Sequence, residues 1–364
     1  MFRRSTLVFI LFALIVAGLV GYSQFVQQQP PLEMTIAVNG LARDWVNAAA
    51  TRFNATAPLI NNGTTRVQIR VIDANDMDVW QGNSGWTLQN HPVLWLPASS
   101  MALNYRPNNL SFTTLEISTA RTPLVWGGFS SRVAVITKDG QRPFDWGAVN
   151  EILAAQRWQN LGAPANWGNV NMAINDPTDS IAGVAVLMSG AADLTGSGTL
   201  ARDSVNSSDF NAWAAPLADS TRNLKTVTPA QRMAQPGGIA NGFGLLPEVQ
   251  WLTSLNDLNK QEPMVFHYPG FQFVLDFPLA LWDDSQTTPA QREAAAAFAA
   301  FLTGTDGQQL AIENGLRPIT NEPTAADAIF ALAAPNGIEL APDYGLQITI
   351  PERSIVETLL RAVD

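Results

Sequence analysis

Val93-Leu94-Trp95-Leu96-Pro97-Ala98-Ser99-Ser100 is a short apolar run that stops at a proline and leads into small hydroxyl residues. An apolar run of this length, closed by a turn signal, reads as a buried strand, and the chain can turn helical from Met101. The same grammar returns at Asn171-Met172-Ala173-Ile174, which runs into Asn175-Asp176-Pro177-Thr178-Asp179-Ser180 and then an apolar helix from Ile181 to Met188. Upstream, Met34 to Val38 alternates and is β-branched, a third strand that ends at Asn39-Gly40. Leu41, Trp45, Ala49 and Phe53 are spaced by four, the signature of an amphipathic helix, and Val67 to Ile72 is the next strand. Strand, helix, strand, helix, strand predicts a parallel α/β sheet.

Further along, Leu124–Trp126 and Ser131–Ile136 read as a strand region, and Phe144–Trp158 as a helix. Residues 190–225 are small and polar and predict a loop with one short helix around Phe210–Trp213. Thr228–Met233 starts a helix, Phe243–Leu258 is mixed, Pro263–Pro269 is extended, and Phe271–Leu281 reads as a strand. Thr288 caps a helix over Pro289–Leu302, a second helix spans Asp306–Asn314 with Gly315 as its stop, and a final helix lies within Ile348–Val363.

The first 32 residues carry only two charges, Arg3 and Arg4, followed by the apolar run Leu7 to Tyr22 and the polar exit Gln27-Gln28-Gln29-Pro30-Pro31. That order is an export signal or an anchor, with the arginines cytoplasmic and everything beyond Pro31 outside. The length of Leu7–Val26 fits a spanning helix better than a cleaved h-region, so an anchor is the leading expectation and a cleaved signal the other. Without cysteine, disulfides, thiolate metal sites and a lipidated N-terminus are excluded. The exported part carries 19 basic and 31 acidic residues, a formal charge of −12, which disfavours nucleic acid and anionic lipid as partners. Its length, about 330 residues, predicts two lobes rather than one core.

A helix N-terminus leaves N–H groups unpaired, and a Ser or Thr there either caps the helix or yields to a ligand that replaces the cap. Taken singly, each such junction is more often a cap. Ligands of open α/β sheets sit beyond the carboxyl ends of strands. Ser99/Ser100 and Thr178/Ser180 on two lobes would therefore form a clamp, with Asn39 at a third junction. Asp73, Asp76 and Asp78 lack the glycine of a calcium loop and read as a solvated loop. The two histidines, His91 and His267, have no visible partner, and no nucleophile elbow, zinc-protease or phosphate-loop motif is present. A glycosidase would need a carboxylate pair such as Asp176/Asp179 or Asp283/Asp284, the first of which lies at a helix start where acids are ordinary.

The run Val93–Ser100, Arg121-Thr122-Pro123-Leu124-Val125, Asn175–Gly183, and Pro289-Ala290-Gln291-Arg292-Glu293 through Phe301-Leu302 to Gly315-Leu316-Arg317-Pro318 together resemble extracellular solute-binding proteins of the type II periplasmic class. More narrowly, they resemble the subgroup found beside von Willebrand factor A-domain proteins, distantly similar to molybdate-binding proteins. The resemblance implies a two-lobed α/β fold with two hinge crossovers, near Thr122–Trp126 and Tyr268–Gln272, after one N-terminal apolar helix. It places residues 33–123 and 269–364 in lobe 1, residues 124–268 in lobe 2, and residues 1–32 in the signal or anchor. Ser99, Ser100 and Ser180 match the family's cleft-facing serines. Ala182 replaces a second serine, and the segment Asp73–Asn90 is longer and Trp-rich, so the resemblance does not select the ligand.

The resulting expectation is an extracytoplasmic, non-enzymatic receptor that needs no cofactor or metal. It closes on a small molecule through Asn39, Ser99, Ser100, Thr122, Thr178 and Ser180 and presents it to the membrane subunits of an ABC transporter. It touches the membrane through its N-terminal helix only. The alternative is an envelope interaction or sensing protein working with a von Willebrand A-domain partner without solute uptake.

Overall fold

Two sheets organise the computed structural model, which describes residues 9, 11–17, 29–220, 228–235, 237 and 241–363. The first half of the chain supplies β1 (Leu32–Asn39), β2 (Leu59–Ile60), β3 (Thr65–Ala74), β4 (Leu94–Leu96) and β5 (Phe112–Glu116). Then come β6 (Thr122–Phe129), β7 (Met172–Ala173), β8 (Phe243–Pro247) and β9 (Met264–His267). Four short strands close the series: β10 (Phe271–Gln272), β11 (Val274–Leu275), β12 (Leu279–Trp282) and β13 (Leu346–Gln347). The first sheet runs β2-β3-β1-β4-β12-β5, with β1 parallel to β3 and β4 and antiparallel pairing at β12. The second runs β11-β6-β8-β7, with β9 also on β6.

β1 is buried at Met34, Ile36, Ala37 and Val38, as befits a parallel strand covered on both faces. Helix Arg43–Ala55 buries Trp45, Ala49 and Phe53, the stripe its spacing predicts, and Phe53 packs edge-on against Phe298 of helix Pro289–Thr303. Thr288 and Gln291 form a full capping box on that second helix. The chain leaves the first sheet between β5 and β6 and returns between β11 and β12. At this passage the Gln272 side chain, wholly buried, donates to the Leu124 carbonyl and accepts from the Leu124 amide, both at 2.8 Å, so a carboxamide completes a backbone ladder.

Three expectations are corrected. Ser130–Thr137 is a helix, not a strand: its β-branched residues mimic strand composition, yet Val133 and Ile136 bury one helical face. The Glu262 carboxylate, far along the chain, accepts from the Ser131 amide at 2.5 Å and from the Ser130 and Ser131 hydroxyls at 2.9 Å, which satisfies the first turn. Residues 190–220 are mostly helical, with helix Ile181–Thr195 running on and a further helix at Ser208–Ser220. Gly190 makes that packing possible, because a Cβ there would lie 1.9 Å from the Trp213 ring. The expected strand Phe271–Leu281 is broken into β10, β11 and β12. At the last break Phe277 has φ +41°, held by its amide on the Ala98 carbonyl at 3.2 Å and its carbonyl on the Thr119 amide at 3.0 Å.

Of the expected N-terminal apolar helix, residues 11–17 are helical, with exposed Leu11, Phe12, Leu14, Ile15 and Val16. The rest of the apolar run lies outside the described residues, among which no helix is long and apolar enough to cross a membrane. At the other end, residues 328–361 lie across both sheets. Phe330, Ala333 and Ile338 join the core around Trp251 and Phe266. In helix Arg353–Arg361, Arg353 donates to the Tyr105 carbonyl at 3.0 Å, and Arg202 donates to the Ser354 hydroxyl at 2.7 Å.

Candidate ligand-binding cleft

The carboxyl ends of β1, β3 and β4 are tied together by one buried carboxylate. Asp76 Oδ2 accepts from Asn39 Nδ2 and from the Ala98 amide, both at 2.8 Å. Asn39 Oδ1 in turn accepts from the Leu41 amide at 3.0 Å, which turns the chain after β1. Burial lifts the Asp76 carboxyl to about 7, and the Ala98 amide and Asn39 carboxamide oppose the rise. Asp76 thus belongs to the scaffold under the site, where the sequence reads a solvated loop. Next to it Asn75 caps helix Asp76–Gln81, accepting from the Met77 amide at 2.9 Å.

Opposite stands the loop after β7. Asp176 Oδ1 accepts from the Thr178 amide and hydroxyl at 2.9 and 2.7 Å, and Ser180 caps helix Ile181–Thr195 through the Ala182 amide at 3.2 Å. Gly183 lets this loop lie against the helix, since a Cβ there would come within 2.5 Å of the Asn175 carbonyl oxygen and 2.6 Å of Pro177. Asn175 and Gln250, both buried, exchange carboxamide hydrogen bonds of 3.3 and 3.0 Å.

Between these walls lies a cleft of 510 Å³. The first-sheet side contributes Asn39, Gly40, Arg43, Asp44, Trp45 and Asn75. The other side contributes Asn175, Asp176, Asp179, Ser180, Gln231 and Gln250. Asn314, just past helix Thr305–Glu313, lines it too. The two rims touch: Asn75 Nδ2 donates to the Asp179 carbonyl at 3.2 Å and to Asp179 Oδ1 at 2.9 Å.

Of the six expected contacts, the structure brings Asn39 and Ser180 to the cleft wall. Thr178 is exposed beside it, and its carbonyl accepts from Gln81 Nε2 at 3.5 Å. Ser99 is buried as the cap of helix Ser100–Tyr105. The Ser100 amide and hydroxyl are donated to Asp276, at 2.8 and 2.7 Å. Burial raises the Asp276 carboxyl, and the hydrogen bonds from Ser100 oppose the rise. Thr122 is fully buried and accepts from the Val249 amide at 3.1 Å. Sequence reasoning passes over Asn75, Gln231, Gln250 and Asn314, since an isolated carboxamide carries no motif, and at the junction that begins with Asn175 it selects the hydroxyls and not the carboxamide.

Behind the cleft, where the chain passes between the sheets, a buried ion pair joins distant segments. Arg317 donates to Glu248 at 2.6 and 2.8 Å, to the Tyr268 hydroxyl at 3.1 Å and to the Leu340 carbonyl at 2.8 Å. Burial by itself would lower the guanidinium pKa, and the Glu248 charge and hydrogen bond together with Tyr268 and Tyr344 more than offset it, so the net shift is upward. Glu248 opens the helix whose next residues, Val249 and Gln250, line the cleft. His91 and His267 sit apart: His91 stacks on Trp282 of the first sheet at 3.8 Å, and His267 is in β9 of the second, where burial lowers its pKa. Among the described residues no cluster of three or more His, Asp or Glu side chains could hold a metal ion.

A family model described as bacterial extracellular solute-binding protein matches residues 35–317. The chain belongs to this family. The two-lobed α/β architecture agrees with solved structures of distant sequence. The sulfate-binding protein SubI from Mycobacterium tuberculosis H37Rv superposes with a TM-score of 0.53 at 14% identity, covering 89% of this chain and 96% of that one. Iron-bound HitA from Pseudomonas aeruginosa gives 0.57 at 14% identity, with 92% and 99% covered. A periplasmic thiamin binding protein gives 0.57 at 12% identity, with 92% and 97% covered. No curated protein matches the sequence. At these identities the likeness is one of fold, and family membership implies an extracytoplasmic solute-binding protein.

Proposed function

We propose that this protein is the receptor of an ABC-type importer, capturing a small solute in the cleft and presenting the closed form to the transporter's membrane subunits. The observation that carries the reading is a cleft walled by both sheets whose rims are bridged by Asn75 and Asp179. A ligand that touches both walls binds the closed arrangement better than the open one, and only such a difference shifts the equilibrium. The lobes in this reading are residues 33–123 with 269–364, and residues 124–268, hinged at Thr122–Trp126 and Tyr268–Gln272. The N-terminal apolar segment tethers the receptor to the membrane or is cleaved on export.

Asn39 and Ser180 are the direct contacts kept from the sequence reading. Ser99, Ser100, Thr122 and Thr178 support them by holding the strand ends and loops in place. The solved neighbours include proteins for sulfate, iron and thiamin, so the fold leaves the solute class open. The test is thermal denaturation of the purified protein against sugars, oxyanions, amino acids and polyamines, with small-angle scattering of any hit. A binder raises the midpoint by mass action, and at about 100 times Kd the gain is about 2.7 kcal/mol. The radius of gyration falls on closure. If nothing in the panel stabilises it and a von Willebrand A-domain protein does, the envelope-scaffold reading replaces this one.

A further inference from the structure

We propose, resting on the receptor reading above, that the cleft takes an uncharged polyhydroxylated solute of the saccharide class. The junction where an oxyanion would be sought is already filled from within: both Asp276 carboxylate oxygens take hydrogen bonds from Ser100. In the cleft itself Asp44, Asp176 and Asp179 face a single described cation, Arg43. That guanidinium is shared between Asp44 at 3.7 Å and Asp73 at 3.4 Å. A small oxyanion would meet three carboxylates there with no uncommitted positive charge among the described residues, and like charges at close range repel.

An organic cation would satisfy the carboxylates but not the rest of the wall. Asn175 and Gln250 hold one another in fixed orientation, and each keeps one N–H and one carbonyl lone pair beyond that exchange. An ammonium has only donors and cannot meet those N–H groups. A hydroxyl both donates and accepts, so a polyol can give protons to Asp176 and Asp179 and take them from Asn175, Gln250 and Arg43. The cleft, at 510 Å³, falls in the range of about 300–1,000 Å³ typical of organic ligands and far exceeds what one inorganic anion fills. A Cβ at Gly40 would meet nothing within 4 Å, which leaves the backbone after β1 open to a ring.

The experiment is isothermal titration of the full-length protein with a neutral sugar panel (glucose, xylose, maltose, trehalose), with sodium sulfate and molybdate, and with spermidine. Saturable binding of a sugar is expected, with a Kd that changes less than about twofold between low and high salt, because no net charge is paired. Gln250→Ala should weaken that binding about tenfold or more. Asp179→Asn, at an exposed position, should weaken it several-fold while leaving the thermal midpoint in place. Saturation by sulfate, molybdate or spermidine with the sugars silent overturns the saccharide inference and leaves the receptor standing. So does sugar binding that neither variant changes, which would put the sugar elsewhere. Silence from every probe in the panel overturns the receptor reading itself.

Discussion

Replacing Arg317 by methionine tests how the two halves are held together behind the cleft. The guanidinium is wholly buried and carries hydrogen bonds to Glu248, Tyr268, Leu340, Glu322 at 3.2 Å and, at 2.5 Å, the Glu339 carbonyl. Methionine fills most of the volume but strands the Glu248 carboxylate, which has no exposed surface. Breaking a buried pair by removing one partner costs about 3–5 kcal/mol, mostly the desolvation of the charge left behind. With about 2 °C per kcal/mol for a protein of this size, the midpoint should fall by about 6–10 °C. Glu248→Gln alone should cost less, since the guanidinium keeps a second carboxylate, Glu322, at 3.2 Å. The double variant, which buries no charge, should lose clearly less than the sum of the two, with a coupling of about 2 kcal/mol or more. The assay is differential scanning calorimetry with matched urea titrations on all four proteins. Additive losses within about 0.5 kcal/mol would refute the reasoning, because they would mean that neither charge depends on the other.

Other expectations concern the cleft. Asp76 has a raised carboxyl, so its protonated form favours the folded state; its contribution is full below the unfolded pKa and is lost as pH rises toward about 7. Stability should therefore slope down by up to about 1.4 kcal/mol per pH unit over part of that window, and urea midpoints of Asp76→Asn should show a shallower slope. An unchanged slope would place the proton elsewhere, at Asp276 or Asp193, whose carboxyls burial also raises. Asp179→Ala removes the side-chain bond across the rims without touching a cap, and scattering should report a larger radius of gyration for the unliganded variant. Gly183→Ala drives a methyl group into the Asn175 and Pro177 backbone and should cost about 1–3 kcal/mol, read by thermal midpoint, together with much of the solute affinity.

Much of the frame was legible because the forces that make it are local. The stripe Trp45, Ala49, Phe53 and the Thr288 capping box are set within one or two helical turns, and both appear where their spacing puts them. Failures fall where a distant residue wins. Ser130–Thr137 is β-branched and strand-like by composition, yet Glu262 supplies the acceptors that start a helix. The small residues after Ile181 look like loop until Trp213 is packed on Gly190. Ser100 and Ser180 look equivalent as sequence. Only the break at Phe277, which presents Asp276 to Ser100, separates them: one serine is spent inside the protein and the other stands on the cleft wall.

The sequence by itself determined the class of the protein, the alternation of strands and helices, and the junctions around which a site would form, since periodicity and capping are properties of neighbouring residues. Tertiary structure alone decided which groups at those junctions face the cleft, which carboxamides line it, and that Glu248 and Arg317 pair behind it. A hydrogen-bonding group meets whatever partner the fold brings within about 3 Å, and nothing in its immediate sequence says which partner that is.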